Sequence, residues 1–185
     1  EALTNIAMQV AAMNPQYISR NDISEEELAK IKDITTDSAL NDATTLPKPI
    51  LNKLLDKAIN EKLWSEDDIQ QFEEHKNNMN YVWNFLSDAA KAKLGELAMA
   101  DKESIVAEKM FAGVVDGRVS KQLKEICLLD QTYVKAEDGK QSVAKYLESV
   151  SKDIVITEMV RFEVGEGLEK KNEDFAAEVA AQAGM

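Results

Sequence analysis

Apolar residues recur at helical spacing through most of the first 126 positions. Leu3, Ile6, Ala7, Val10 and Ala11 fall on one face over residues 3–13, because positions three and four apart stack on the same side of a helix. Asn14-Pro15 predicts its end, since the residue before a proline avoids the helical region. Ser24 with Glu27 three residues on reads as a capping box, and Leu28, Ile31 and Ile34 carry the stripe of the helix it opens. After the break "LPKPI" (46–50), where proline suits a first turn, Leu51, Leu54, Leu55, Ala58 and Ile59 form another face. "SEDD" (65–68) predicts a start ahead of Ile69 and Phe72. Ser87 predicts one ahead of Leu94 and Leu97. "DKESI" (101–105) opens a helix carrying Ile105, Val106, Met110 and Phe111. Residues 14–112 therefore read as almost continuous helix with short breaks, a helical arm or bundle. No strict heptad persists, so a long regular coiled coil is not predicted.

The pattern changes after about residue 113. Gly113 and Gly117 lie in or beside a helix that continues toward Ile126. "LLDQTYVK" (128–135) looks extended, "EDGK" (137–140) is a turn, and Val143, Tyr146 and Leu147 suggest a short helix. In "IVITEMVRFEVGEG" (154–167), Val160, Phe162 and Val164 alternate with Arg161 and Glu163, the pattern of a half-buried strand that Gly165 and Gly167 end. Asn172 can cap a last helix with Phe175, Val179 and Gln182 on its face. Only the C-terminal third mixes strand and helix.

Composition narrows the function classes. The formal net charge is −12, from 22 Lys and Arg against 34 Asp and Glu. Such a surface repels a phosphate backbone, and no basic patch interrupts it: the lysines of "LEKKNED" are flanked by acids, so no nucleic-acid partner is expected. No apolar run approaches the ~20 residues of a membrane span, so no membrane partner is expected either. Cys127 is the single cysteine. It can neither staple the fold nor build a zinc site, and a reducing cytoplasm is the natural setting. The start, "EALTNIAMQV", has neither an initiator Met nor a basic signal-peptide region, so a longer parent chain is expected.

Candidate chemistry is sparse. His75 sits in the polar stretch "EEHKNN", where Glu73 and Glu74 are too close in sequence to chelate well beside it. A solvated histidine is the expectation. Cys127, in "EICLLDQ", reads as a buried structural thiol, because no second histidine exists to activate it. The glycines match no phosphate-binding loop, "KAEDGK" lacks calcium-ligand spacing, and the neighbouring acids read as solubilising charge. Neither an enzyme nor a cofactor is expected. The work of such a chain should be binding.

Three segments carry a resemblance: "IAMQVAAMNPQYISRNDIS" (6–24), "DGRVSKQLKEICLLDQTYVK" (116–135) and "VRFEVGEGLEKKNEDFAAEVAA" (160–181). In order and length they resemble bacterial elongation factor Ts, the guanine-nucleotide exchange factor of elongation factor Tu. The resemblance implies an α+β, predominantly α-helical fold. Residues 1–13 plus 113–171 would be a small core subdomain mixing sheet and helix. Residues 14–112 would be an inserted helical arm, longer than in most of the family and a possible homodimer contact. Residues 172–185 would be a C-terminal helical module. The terminal helix would meet the partner's GTP-binding domain and the core its last β-barrel domain. The family's N-terminal module and its Thr-Asp-Phe-Val loop have no counterpart in these residues, so full exchange is not expected of them alone.

The same resemblance implies partner-binding residues. Asp174, Phe175 and Val179 would lie on the terminal helix and Arg161 on the strand. Gln9 stands where the family often has histidine. The competing reading is a non-catalytic helical oligomerisation or scaffold module.

Overall fold

Serine side chains set where several helices begin. Ser24, Ser65, Ser87 and Ser142 accept hydrogen bonds from the backbone N–H of Glu27, Asp68, Ala90 and Lys145, each three residues on, at 3.1–3.3 Å. Each bond satisfies a donor that the first turn otherwise leaves open. At Ser24 the box closes, because Glu27 Oε2 accepts from the Ser24 N–H at 3.2 Å. The computed structural model describes residues 1–167. Within them lie α1 (Ala2–Met13), α2 (Glu25–Asn41), α3 (Lys48–Asn60), α4 (Glu66–His75), α5 (Met79–Val82), α6 (Asp88–Ala100), α7 (Lys102–Val106), α8 (Lys109–Ile126) and α9 (Val143–Val150). Asn14 ends α1 in the left-handed region, φ 46° and ψ 55°, with its N–H on the Val10 carbonyl at 3.1 Å, a conformation asparagine tolerates better than most residues. The single helix expected across 105–111 is two, parted at Ala107 and Glu108.

The buried side chains fall into two clusters. The larger is built by α2 through α8, with Leu40, Ile50, Leu54, Val82, Leu94 and Phe111 inside it. Trp64 meets Phe72 edge-to-face at 5.9 Å and donates its indole N–H to the Ala90 carbonyl at 3.0 Å, so a large apolar ring is buried without stranding its polar atom. Gly95 lets α6 approach the end of α2. A Cβ there would stand 3.2 Å from the Asn41 carbonyl oxygen. Gly95→Leu is therefore expected to lower stability by about 1–3 kcal/mol through overpacking, read as a lower midpoint in urea. An unchanged midpoint would show that the crossing can spread.

The smaller cluster joins α1, the turn at Leu128–Asp130, and α9 through Ile6, Val10, Leu128, Tyr133, Val143 and Leu147. α8 leads from the larger cluster to the smaller. Phe111 and Val115 are buried in the larger, and the chain leaving Ile126 enters the smaller at Leu128. Position 113 thus lies inside a continuous helix. Where α8 ends, Tyr17 and Cys127 form a parallel bridge: Leu128 N–H reaches the Tyr17 carbonyl at 2.8 Å and Leu129 N–H the Ile18 carbonyl at 3.0 Å. Arg20 Nε and Asp130 Oδ2 add an ion pair at 2.6 Å.

The expected mixed sheet is not present among the described residues. Two isolated bridges, Tyr17 with Cys127 and Thr132 with Ser142, are the only β pairing there. The segment expected as a strand, 154–164, carries no strand among the described residues, and a strand exists only through its partner's hydrogen bonds. Its orientation also differs from the expectation. Ile154, Ile156, Met159 and Arg161 are partly buried, whereas Val160, Phe162 and Val164 are exposed, Phe162 to 91%. The inward positions shift register between 156 and 159. The alternation is real, but its apolar face over 160–164 points away from the smaller cluster.

Candidate partner-binding surface

Gln9 stands in the apolar stripe of α1, between Ile6 and Val10, and is fully buried. Its Nε2 donates to Gln131 Oε1 and to the Thr132 carbonyl, both at 3.1 Å, and its Oε1 accepts from the Val134 N–H at 2.8 Å. Gln131 in turn donates to the Glu125 carbonyl at 2.7 Å. Buried amides are retained only when satisfied in this way. The two glutamines therefore lock α1 to the end of α8 and to the 131–134 segment. Gln9 offers no surface to a partner and can influence one only by holding these elements. Gln9→Leu leaves Gln131 Oε1, the Thr132 carbonyl and the Val134 N–H without their Gln9 partner, at an expected cost of about 1–3 kcal/mol. Thermal unfolding followed by circular dichroism checks this, and a melt identical to the parent chain's would refute it.

Arg161 lies against α1. Its Nε approaches the Ala11 carbonyl at 3.4 Å and its Nη1 pairs with Glu163 at 2.7 Å. A cation beside the last carbonyls of a helix sits in the favourable end of the helix dipole. Between α1 and residues 155–162 runs a groove of 560 Å³, with Leu3, Ile6 and Val10 on one wall and Ile156, Met159 and Phe162 on the other. Arg161 closes part of it. Asp174, Phe175 and Val179, and the helix expected to carry them, lie outside the described residues.

The groups weighed as catalysts are engaged in packing. Burial pushes the Cys127 thiol above its ordinary pKa, and the nearby Asp130 adds to this, so the sulfur is held neutral. His75 stacks on Phe85 at 3.5 Å, and its Nδ1 lies 2.9 Å from the Gln71 carbonyl. Among the described residues no three His, Cys, Asp or Glu side chains gather closely enough to hold a metal ion, and no helix is long and apolar enough to cross a membrane. Sequence reasoning missed Gln131, the partner of Gln9, and the outward apolar run at 155–164. A glutamine inside an apolar stripe is a signal that a buried partner exists; its position 122 residues away is not.

Taken together, these features define a helix-rich protein with two cores joined through the end of one helix and an open apolar face on the smaller core. The family described as Elongation factor TS matches residues 1–91 and 58–166, stretches that overlap within the larger helical cluster. The chain belongs to the elongation factor Ts family. It is 33% identical over 180 residues to elongation factor Ts of Clostridioides difficile, covering 96% of this chain and 39% of that protein. It is 35% identical over 188 aligned residues to that of Clostridium perfringens strain 13, covering 100% and 41%, and 32% identical over 183 to that of Finegoldia magna, covering 98% and 58%. The chain thus spans between two fifths and three fifths of the length of these relatives. No solved structure matches it.

Proposed function

We propose that this chain is the part of an elongation factor Ts that binds elongation factor Tu and, with the rest of that protein, promotes exchange of GDP for GTP. The observation that carries the reading is the family match across residues 1–166. The mechanism is linkage rather than covalent chemistry. A factor that binds the nucleotide-free partner more tightly than the nucleotide-bound one weakens nucleotide binding by the same ratio. A translation factor of this kind works in the cytoplasm. We further propose a core subdomain of 1–13 plus 113–171, an inserted helical arm of 14–112 and a C-terminal module of 172–185. The separation of buried residues into two clusters supports the division, with α8 leading from one to the other. Asp174, Phe175, Val179 and Arg161 are proposed at the partner surface.

Calorimetric titration into nucleotide-free elongation factor Tu tests this. Binding is expected, weakened at least tenfold, or about 1.4 kcal/mol, by deleting residues 172–185, with little acceleration of GDP release by these 185 residues alone. Absence of heat with the intact chain would end the proposal. A second reading, self-association through the arm, is favoured by its exposed apolar side chains Ile34, Tyr81 and Met110. Light scattering should then show a dimer that is lost on deleting 47–100.

A further inference from the structure

The connection from α4 to α6 shows two aromatic rings to solvent. Val82 and Leu86 are buried in the larger cluster, and Met79 and Trp83 pack partly against it. Tyr81 and Phe85, placed between these anchors in the chain, are exposed to 61% and 45%. The segment is thus anchored without these two rings, and a solvated turn is ordinarily built from small polar residues instead. Phe85 is held in place. His75 stacks on it, with 3.5 Å between centroids and 12° between planes, and the His75 ring also contacts the Gln71 carbonyl at 2.9 Å. A ring already clamped loses little rotamer freedom when a partner arrives. Asn77, Asn78, Asn80 and Asn84 flank the rings in sequence and are exposed, and Asn78 opens α5 without capping it through its side chain. Exposed aromatic rings set among asparagine amides are characteristic of surfaces that recognise other proteins.

The charge around the rings selects the partner. Residues 65–88 hold six Asp and Glu, against Lys76 as the one Lys or Arg. Asp68 is buried, where it caps with Ser65 and Ser87. The other five are exposed. Lys76 is taken by Glu73. Glu74, beside His75 in the chain, accepts from the neutral Gln70 amide at 2.9 Å, which leaves its charge in place. We propose that this face binds an arginine-bearing segment of a basic protein. Guanidinium groups stack on Tyr81 and Phe85, and their N–H forks pair with the carboxylates of Glu74 and Asp88. Arginine meets both demands, because its planar cation lies flat on an aromatic ring and matches a carboxylate with two parallel N–H bonds. A second copy of this chain is a poor source of that cation. Its three arginines, Arg20, Arg118 and Arg161, already face Asp130, Asp42 and Glu163 of their own chain, and two molecules of net charge −12 repel. A nucleic acid is repelled by the same acids. The inference does not depend on elongation factor Tu binding.

Fluorescence anisotropy of a labelled peptide of Arg-Ala-Ala repeats, titrated with the 185-residue chain, tests it. The titration is run at physiological ionic strength, where long-range attraction between exposed charges is screened. Binding is expected. Tyr81→Ala combined with Phe85→Ala leaves the charge unchanged and should weaken it roughly tenfold. Glu74→Gln combined with Asp88→Asn, which spares both rings, should weaken it about threefold or more. Glu25→Gln with Glu103→Gln makes the same change in charge elsewhere on the surface and should leave the affinity as it was. A peptide of Lys-Ala-Ala repeats should bind several-fold more weakly, because an ammonium group has neither the flat face nor the fork. Absence of binding by the arginine peptide would overturn the proposal. So would an affinity that ignores the loss of both rings, an equal affinity for the lysine peptide, or an equal loss in the Glu25 and Glu103 variant, which would reduce the effect to net charge.

Discussion

Phe111→Ala is expected to destabilise the larger helical cluster by about 3–5 kcal/mol, a substantial part of the ~5–15 kcal/mol that holds a typical domain together. The ring is 1% exposed and enters the larger cluster from the first turn of α8, which packs on α2 and α7. Truncation removes its apolar area and leaves a cavity that surrounding helices can only partly close. Trp64 belongs to the same cluster, so its fluorescence reports the loss as a lower denaturation midpoint. The Gln9 and Gln131 amides and the side chains around α9 belong to the other core, and native-state exchange should leave α9 protection nearly unchanged. A loss below about 1 kcal/mol would mean that the site collapses around the smaller residue. Equal loss of protection in α9 would mean that α8 makes the two cores one cooperative unit.

Asp68→Ala should come close to this. Asp68 is buried, and its carboxylate accepts from the Ser87 N–H at 2.8 Å, the Ser87 hydroxyl at 2.8 Å and the Ser65 hydroxyl at 2.7 Å. Ser65 and Ser87 are the caps of α4 and α6, so one side chain positions two helix starts. Removing it takes the acceptor from three donors on Ser65 and Ser87, and about 2–4 kcal/mol is expected from the lost charge-assisted bonds and weakened caps. Burial alone would raise the Asp68 pKa, but the bonds from Ser87 and Ser65 more than offset it, and the carboxyl lies below its ordinary value. The sign follows from linkage. With the folded pKa lowered, ionised Asp68 stabilises fully above the unfolded pKa of about 3.9, and that stability fades as pH falls through the lowered folded value. Stability measured in urea should therefore drop below about pH 4 in the parent chain and drop less steeply in Asp68→Asn. Identical acid slopes would refute the assignment.

The helices were legible in the sequence because their signals are local. Ser24, Ser65 and Ser87 stand directly before apolar stripes, and a cap acts over three residues. The break at Ala107–Glu108 was not legible: no glycine or proline marks it, and the stripe from Ile105 to Phe111 runs on across it. The segment 154–164 was read as a half-buried strand; among the described residues it pairs with nothing, and Val160, Phe162 and Val164 face outward. Alternation specifies that two faces differ, while contacts with α1 decide which one is covered. Arg161 shows the difficulty, since a charged residue ends up inward because the Ala11 carbonyl and Glu163 receive it. Gln9 shows the same limit from the other side. Its partner is supplied by the fold, from a segment that no spacing rule connects to α1.

The bridge between Tyr17 and Cys127 has a consequence for how the family's length can vary. Everything from Ile18 to Ile126 leaves the smaller core and returns to it at one point, held by backbone bonds at 2.8 and 3.0 Å and by the Arg20–Asp130 pair. A segment whose ends already touch can gain or lose helices without moving the residues that hold those ends. The added chain costs only about 0.6 kcal/mol of closure entropy per doubling, and new helices that pack on existing ones repay it. The clasp lets the helices between its two ends vary in number, while the amides of Gln9 and Gln131 behind it keep α1 in register.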